Sequence, residues 1–208
     1  MTAVQQRALA ELLPRFELPY SPLRADLDLL FGRRAPREVE IGFGAGEALL
    51  ARAAARPDVD HLGIEVHGPG VGRLLLGVEQ LGLSNVRVSR HDAVEVLRDQ
   101  LAPATLARVL LLFPDPWPKA RHHKRRILTP AFAALVAARL APGGRFQLAT
   151  DWEPYAEQMR AVLDATPAFA SASPGGFAPR PADRPLTRFE ARGERLGHPV
   201  FDLEYSRR

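Results

Sequence analysis

Three glycines at alternate positions, Gly42, Gly44 and Gly46, follow the stretch Glu38–Ile41 and precede the helix-forming run Glu47–Ala55. A strand that breaks on glycines and resumes as a helix lets backbone approach a ligand closely, with the N–H groups of the turn aimed at it. Without a ligand, the same residues would simply make a tight turn. The spacing is G-x-G-x-G, which departs from the G-x-G-x-x-G of dinucleotide-binding turns. Three acids stand at the ends of successive predicted strands: Glu40 just ahead of the glycines, Glu65 nineteen residues beyond Gly46, and Asp92 past the next strand. Singly, each reads as a solvated acid; together, at the strand ends where doubly wound sheets bind ligands, they form an acidic rim. Glu40 would repel a pyrophosphate and attract an ammonium group. Glu65 stands where a carboxylate accepts both hydroxyls of a ribose, and Asp92 near the place of an adenine ring. This rim suits S-adenosylmethionine, with its cationic sulfonium, better than a nicotinamide dinucleotide.

A second constellation follows the apolar run ending at Phe113. Pro114-Asp115-Pro116-Trp117-Pro118 is a turn stiffened by three prolines. It leaves a carboxylate and an aromatic face with little freedom, a pairing able to hold a nucleobase by its donor edge and by stacking. A proline-rich loop around a core tryptophan is the plainer alternative. The eight residues from Lys119 to Arg126, KARHHKRR, carry five basic residues and no acid, whereas the whole chain has 28 Lys+Arg against 24 Asp+Glu, a formal net charge of +4. Outside this segment, 23 basic residues face 24 acidic ones, so the basicity of the chain is one local patch. The only two lysines, Lys119 and Lys124, lie inside it. Beside a base-holding turn, such a patch reads as a phosphate clamp; alone, it would be a solvated face.

These residues need a scaffold that brings successive strand ends together. Strands are predicted at Glu38–Ile41, His61–Val66, Val86–Ser89, Arg108–Phe113 and Arg145–Thr150, with helices at Glu47–Ala55, Val71–Leu81, Ala93–Gln100, Thr129–Leu140 and Glu153–Ala165 between and after them. Pro142-Gly143-Gly144 is read as the stop after the helix at Thr129–Leu140. The alternation predicts an α/β fold, a doubly wound and mostly parallel sheet with helices on both faces. Residues 1–36 read as a helical extension, with helices at Gln5–Leu13 and near Leu23–Phe31, and residues 37–208 as one domain. Ser171–Pro185, rich in Pro, Gly and Ser, reads as a long loop, and Phe189–Tyr205 as an antiparallel hairpin or edge strand.

Composition narrows the classes further. The 208 residues include no cysteine, which excludes disulfides, thiolate catalysis, iron–sulfur clusters and Cys-based zinc sites. The six histidines show no metal-ligand spacing, so no metal site is expected. No apolar run has the length of a membrane span, and no basic-then-apolar leader opens the chain, so a cytoplasmic protein is expected. Nothing in the sequence separates a monomer from a homodimer.

The segments EIGFGAGEALL, GIEVHGPGVGRLL, HDAVEVL, FPDPWPKARHHKRR, ATDWEPY and PRPADRPLTRFEARGERLGHPVFDLEY together resemble the bacterial tRNA (guanine-N7-)-methyltransferases, from about Arg37 to the C-terminus. The proline–tryptophan–basic block and the TRFEARGERLGH block are the specific ones. The resemblance implies a Rossmann-like class I methyltransferase fold. It also implies methyl transfer from S-adenosylmethionine to N7 of a guanine in tRNA, typically guanosine 46 of the variable loop. Carried over, the cofactor positions fall on Glu40, Glu65, Asp92 and Asp115, beside the glycines Gly42, Gly44 and Gly46. Substrate positions fall on Lys119, Asp151, Thr187, Arg188, Phe189 and Glu190, and RNA contacts on Arg121, His122, His123, Lys124, Arg125 and Arg126. Arg188 stands where lysine is common and Phe201 where tryptophan is common. Asp115 is the candidate catalytic group, orienting guanine and facing its developing charge; Arg192 would extend the RNA track. Two other readings stay open: a nucleic-acid methyltransferase acting on an exocyclic amine, and a non-catalytic RNA-binding module.

Overall fold

The computed structural model describes every residue except Thr187 and Leu196, together with all side chains but those two and Arg188, Phe189, Arg192 and Glu194. The chain opens with α1 (Ala3–Glu11), α2 (Leu13–Phe16) and α3 (Leu27–Phe31). The alternating body then runs β1 (Arg37–Ile41), α4 (Glu47–Ala55), β2 (Asp60–Ile64), α5 (Gly68–Gln80), β3 (Val86–Ser89), α6 (Ala93–Glu95) and β4 (Leu106–Leu112). It continues with α7 (Pro130–Arg139), β5 (Leu140–Thr150), α8 (Glu153–Asp164), β6 (Phe169–Ser171), α9 (Arg188–Arg195) and β7 (Phe201–Arg207). Short π- and 3₁₀-helical turns occupy Val96–Gln100 and Ala120–Arg125. Among the described residues, no helix is long and apolar enough to cross a membrane.

Seven strands form one sheet in the order β3-β2-β1-β4-β5-β7-β6. The first five are parallel; β7 pairs antiparallel with both β5 and β6. The chain winds outward from β1 to β3 and returns to β4 on the other flank, so strand order reverses between β1 and β4. In register, Ile41 sits beside Ile64 and Leu111, Ile64 beside Ser89, and Leu112 beside Ala149. The parallel strands therefore end level, placing Gly42, Glu65, Asp92, Phe113 and Asp151 along one sheet edge, the ligand-binding edge of such folds.

The two sheet faces differ in polarity. Val39, Ile41, Leu62, Ile64, Val109 and Leu111 belong to the main core with Phe132, Val136, Tyr155 and Met159 of α7 and α8. The alternate residues Glu38, Glu40 and Arg108 are buried on the opposite face with Arg52 of α4. A period of two along β1 thus separates an apolar core from a buried ionic layer. The N-terminal extension is packed into the body: Ala8 and Leu12 share a core cluster with α5 and β3, and Glu17 forms a parallel bridge with Val88.

Several boundaries differ from the sequence expectation. The helix at Ala93–Gln100 divides into a short α-helix and a π-helical turn. Pro142-Gly143-Gly144 lies inside β5, which starts at Leu140 because Leu106 pairs with Leu140 across a register shift before Arg108. Such a shift accommodates Pro and a left-handed Gly143 without ending the strand. The final strand lies between β5 and β6, and β6 is the edge.

Candidate active site

The glycine turn is built from backbone that only glycine adopts readily. Gly42, Gly44 and Gly46 have φ of 69°, 56° and 79°. At Gly46 a Cβ would also stand 2.6 Å from Leu74 Cδ1, so helix α5 closes that position. Gly70, which sequence reasoning missed, has the same importance: its Cβ would fall 2.2 Å from the Gly44 carbonyl oxygen. The signal was the Gly-Pro-Gly-Val-Gly run at 68–72. Glu65 ties the turn to β2, accepting from the Gly44 N–H at 3.0 Å and from the His67 N–H at 2.9 Å. Each carboxylate oxygen keeps a further lone-pair direction for a ligand.

Glu65 lines a cavity of about 550 Å³ with Gly42, Asp92, Asp115, Trp117 and apolar walls from Ile64, Val66 and Ile127. Asp92 already caps α6, accepting from Val94 N–H at 2.8 Å and Glu95 N–H at 3.2 Å. His91 lines the same cavity, and its ring stacks on Tyr20 of the N-terminal extension with centroids 3.7 Å apart. Tyr20 is in turn held by its hydroxyl donating to Asp99 at 2.8 Å. Glu40 faces a neighbouring cavity of about 360 Å³ with Gly44, Ala45, Glu47 and Arg73. It is buried and bonded to Arg52 Nη2, so its charge is partly engaged from within the fold. Behind it, Arg52 also lies 3.7 Å from Glu38, which faces Arg108 at 3.4 Å and His61 at 3.7 Å. Burial, reinforced by Arg52, pushes the His61 imidazole down to a pKa of about 4, so it is neutral at pH 7.

The Pro114–Pro118 turn carries strain just ahead of it and within it. Phe113 and Trp117 both adopt left-handed backbone, with φ of 52° and 45°, costing on the order of 1 kcal/mol or more each. Arg126 holds the turn in this shape. Its Nε donates to the Pro116 carbonyl at 2.7 Å, Nη1 donates to Gln158 Oε1, and the guanidinium lies 4.7 Å over the buried Tyr155 ring. The expectation of an RNA contact at Arg126 is therefore corrected: it is 3% exposed. The chain leaves the 3₁₀ turn at this residue and aims it inward, a direction that a run of like charges does not reveal.

The rest of the basic run points outward. Lys119, Arg121, His123, Lys124 and Arg125 are exposed. Arg125 lies 4.9 Å over the Trp117 ring, and His122 meets the same ring edge-on at 5.9 Å. Among the described residues, Lys119, Arg121, Lys124 and Arg125 form no ion pair with a carboxylate. Asp115 itself is exposed and lines a second cavity of about 530 Å³ with Pro116, Asp151, Trp152 and His198. It stands in the wall common to both spaces.

Glu190 faces the interior of the fold. It is 2% exposed and takes two bonds of 2.7 Å from Arg184, which also reaches Asp202 at 2.8 Å. Asp183 similarly anchors the Ser171–Pro185 loop to the sheet by accepting from Arg108 at 2.5 Å. The loop is thus pinned by two arginines, a role that the Pro-Gly-Ser composition hid. Thr187 and the side chains of Arg188, Phe189 and Arg192 lie outside the described residues.

Comparison with known proteins identifies this scaffold. The profile of the family described as "Putative methyltransferase" matches residues 34–203. A tRNA (guanine-N(7)-)-methyltransferase of Leifsonia xyli subsp. xyli is 58% identical over 98% of this chain and 90% of its own length. The chain belongs to the tRNA (guanine-N(7)-)-methyltransferase family. A Pseudomonas aeruginosa member of that family is 56% identical over 100% of this chain and 85% of its own length. The fold is shared more widely: the 16S rRNA methyltransferase KamB superposes with a TM-score of 0.65 at 15% identity, covering 88% of this chain and 94% of that one. In this family member, the level strand ends of a class I methyltransferase sheet carry the glycine turn, its acids and the proline–tryptophan turn.

Proposed function

We propose that this chain transfers a methyl group from S-adenosylmethionine to N7 of a guanine in tRNA, at position 46 of the variable loop as the family resemblance implies. The observation that carries the reading is the placement of Asp115 between two cavities, one acidic and of nucleoside size, the other open beside the basic run. The donor set of the first cavity fits the cofactor. Glu65 has lone pairs left for ribose hydroxyls, Asp92 and the apolar walls suit adenine, and the three carboxylates Glu65, Asp92 and Asp115, against the single guanidinium of Arg125, suit a sulfonium.

Guanine N7 carries a lone pair and no proton, so no general base is required. S-adenosylmethionine bound in the first cavity would supply the methyl group, its carbon–sulfur bond breaking as the carbon bonds to N7, which would leave a neutral thioether and a cationic guanine. What the protein adds is positioning and electrostatics. Asp115 accepts from the N1–H and exocyclic amine of guanine, points N7 toward the methyl, and stabilises the charge that grows on the ring. Asp151 supplies a second carboxylate to the base or ribose. Lys119, Arg121, Lys124 and Arg125 hold phosphates, while Arg126 keeps the Asp115 turn in shape. Nucleoside mass spectrometry of unmodified tRNA incubated with enzyme and S-adenosylmethionine is expected to yield 7-methylguanosine. An N²-methylated guanosine or N⁶-methylated adenosine instead would overturn the assignment.

A further inference from the structure

The two tryptophans of this chain have different circumstances. Trp117 is engaged, with Arg125 over its face and His122 at its edge. Trp152 is 39% exposed, yet it lines the concave space of about 530 Å³ shared with Asp115 and Asp151. Among the described residues, its ring meets no aromatic or cationic partner. Its backbone is nonetheless fixed. The Trp152 N–H donates to Thr150 Oγ1 at 3.2 Å, and its carbonyl accepts from the N–H groups of Tyr155 and Ala156 at 2.9 and 3.0 Å, opening helix α8. An indole on an anchored backbone therefore lines a cavity beside two carboxylates, with no aromatic or cationic partner among the described residues.

Resting on the proposed guanine-methylating reaction, we infer that Trp152 is the stacking platform for the target guanine, a role the sequence assigned to Trp117. The target must leave its stack in the RNA to meet the methyl group, and an aromatic face replaces the stacking it loses. Asp115 and Asp151 complement the N1–H and amine donors that guanine presents and adenine lacks at that edge. As N7 is methylated the ring becomes cationic, and the indole face attracts a cation more strongly than a neutral ring. Trp152 therefore binds the transition state better than the substrate, which places its effect in kcat.

Base–aromatic stacking of this kind corresponds to roughly 5- to 150-fold. Trp152→Ala is expected to lower single-turnover methyl transfer by that factor with tRNA affinity nearly unchanged, and Trp152→Phe to restore most of the rate. The direct readout is fluorescence. In a Trp117→Phe protein, Trp152 is the sole tryptophan, and unmodified tRNA is expected to quench it saturably. A tRNA with adenosine at the acceptor position is expected to bind without that quenching. Should Trp117→Phe fail to fold, the difference in emission between wild type and Trp152→Phe isolates the same signal. A Trp152 emission indifferent to tRNA, or a Trp152→Ala enzyme of wild-type rate, overturns the platform while wild-type formation of 7-methylguanosine leaves the reaction standing. Absence of 7-methylguanosine from wild-type reactions refutes the reaction instead.

Discussion

The glycine-turn side of the site and the proline-turn side are held by different means. On the first, the groups are fixed by near neighbours and by backbone: Glu65 accepts two main-chain N–H groups, Asp92 caps the helix it precedes, and Gly44 and Gly70 meet backbone to Cβ position. On the second, the strained turn at Trp117 is braced at Pro116 by the side chain of Arg126, strained Phe113 is held by its N–H donating to the Ala149 carbonyl, and most of the surrounding cations are left solvated. The contrast matches the ligands proposed. A small nucleoside needs a cavity formed in advance, whereas a large polyanion is met by exposed charges that lose little by waiting in water and release counterions on contact.

The contrast breaks most visibly at Asp115. Asp115→Ala is expected to lower methyl transfer by roughly 10²–10³-fold or more while tRNA retention on filters changes little. Near wild-type turnover would remove Asp115 from its role. Next in size is the difference between two adjacent arginines. Arg126→Ala is expected to destabilise the fold by about 3 kcal/mol, because it leaves buried partners unsatisfied, and to impair catalysis without altering the salt dependence of tRNA binding. Arg125→Ala is expected to do the reverse, keeping the melting temperature and lowering the slope of log K against log salt by about one. Identical behaviour of the two variants would erase the distinction between a buried brace and a phosphate contact.

The glycine-turn side also rests on a titratable layer. His61 is neutral in the fold down to a pH of about 4, whereas the unfolded chain protonates it near 6.5. Between these values the unfolded state binds more protons, so stability present at pH 7 is lost as pH falls through that window, by up to roughly 3 kcal/mol. Urea unfolding of wild type and His61→Gln, inside and above the window, is expected to show a smaller loss in the variant. Equal losses would mean that His61 is not the group responsible. The smaller expected effect is at Glu65: Glu65→Gln is expected to weaken cofactor binding by about 1.5–3 kcal/mol in calorimetry, with tRNA affinity unaffected.

The same contrast decides what the sequence made legible. The alternation of strands and helices, the glycine turn and the acids at strand ends depend on short-range pattern, and the level strand ends follow from parallel pairing. Arg126, Glu190 and Trp152 depend instead on which way a side chain leaves the backbone, and Arg126 also on partners far along the chain. Arg126 meets Gln158 and Tyr155, and Glu190 meets an arginine from a loop whose composition suggested no anchor. A charge run reveals the presence of cations but not which one turns inward. Glu40 illustrates both cases: its position at the rim is a matter of spacing, and its pairing with Arg52 a matter of helix packing.

The central claim is that Asp115 presents N7 of one tRNA guanine to the cofactor cavity without acting as a base. Its most direct test is chemical cleavage at 7-methylguanosine after incubation of unmodified tRNA with wild-type or Asp115→Ala enzyme and S-adenosylmethionine. Cleavage at a single variable-loop guanosine with wild type, and none with Asp115→Ala despite retained tRNA binding, is the result expected. Equal cleavage by the two proteins, or wild-type methylation at a different atom, would contradict it.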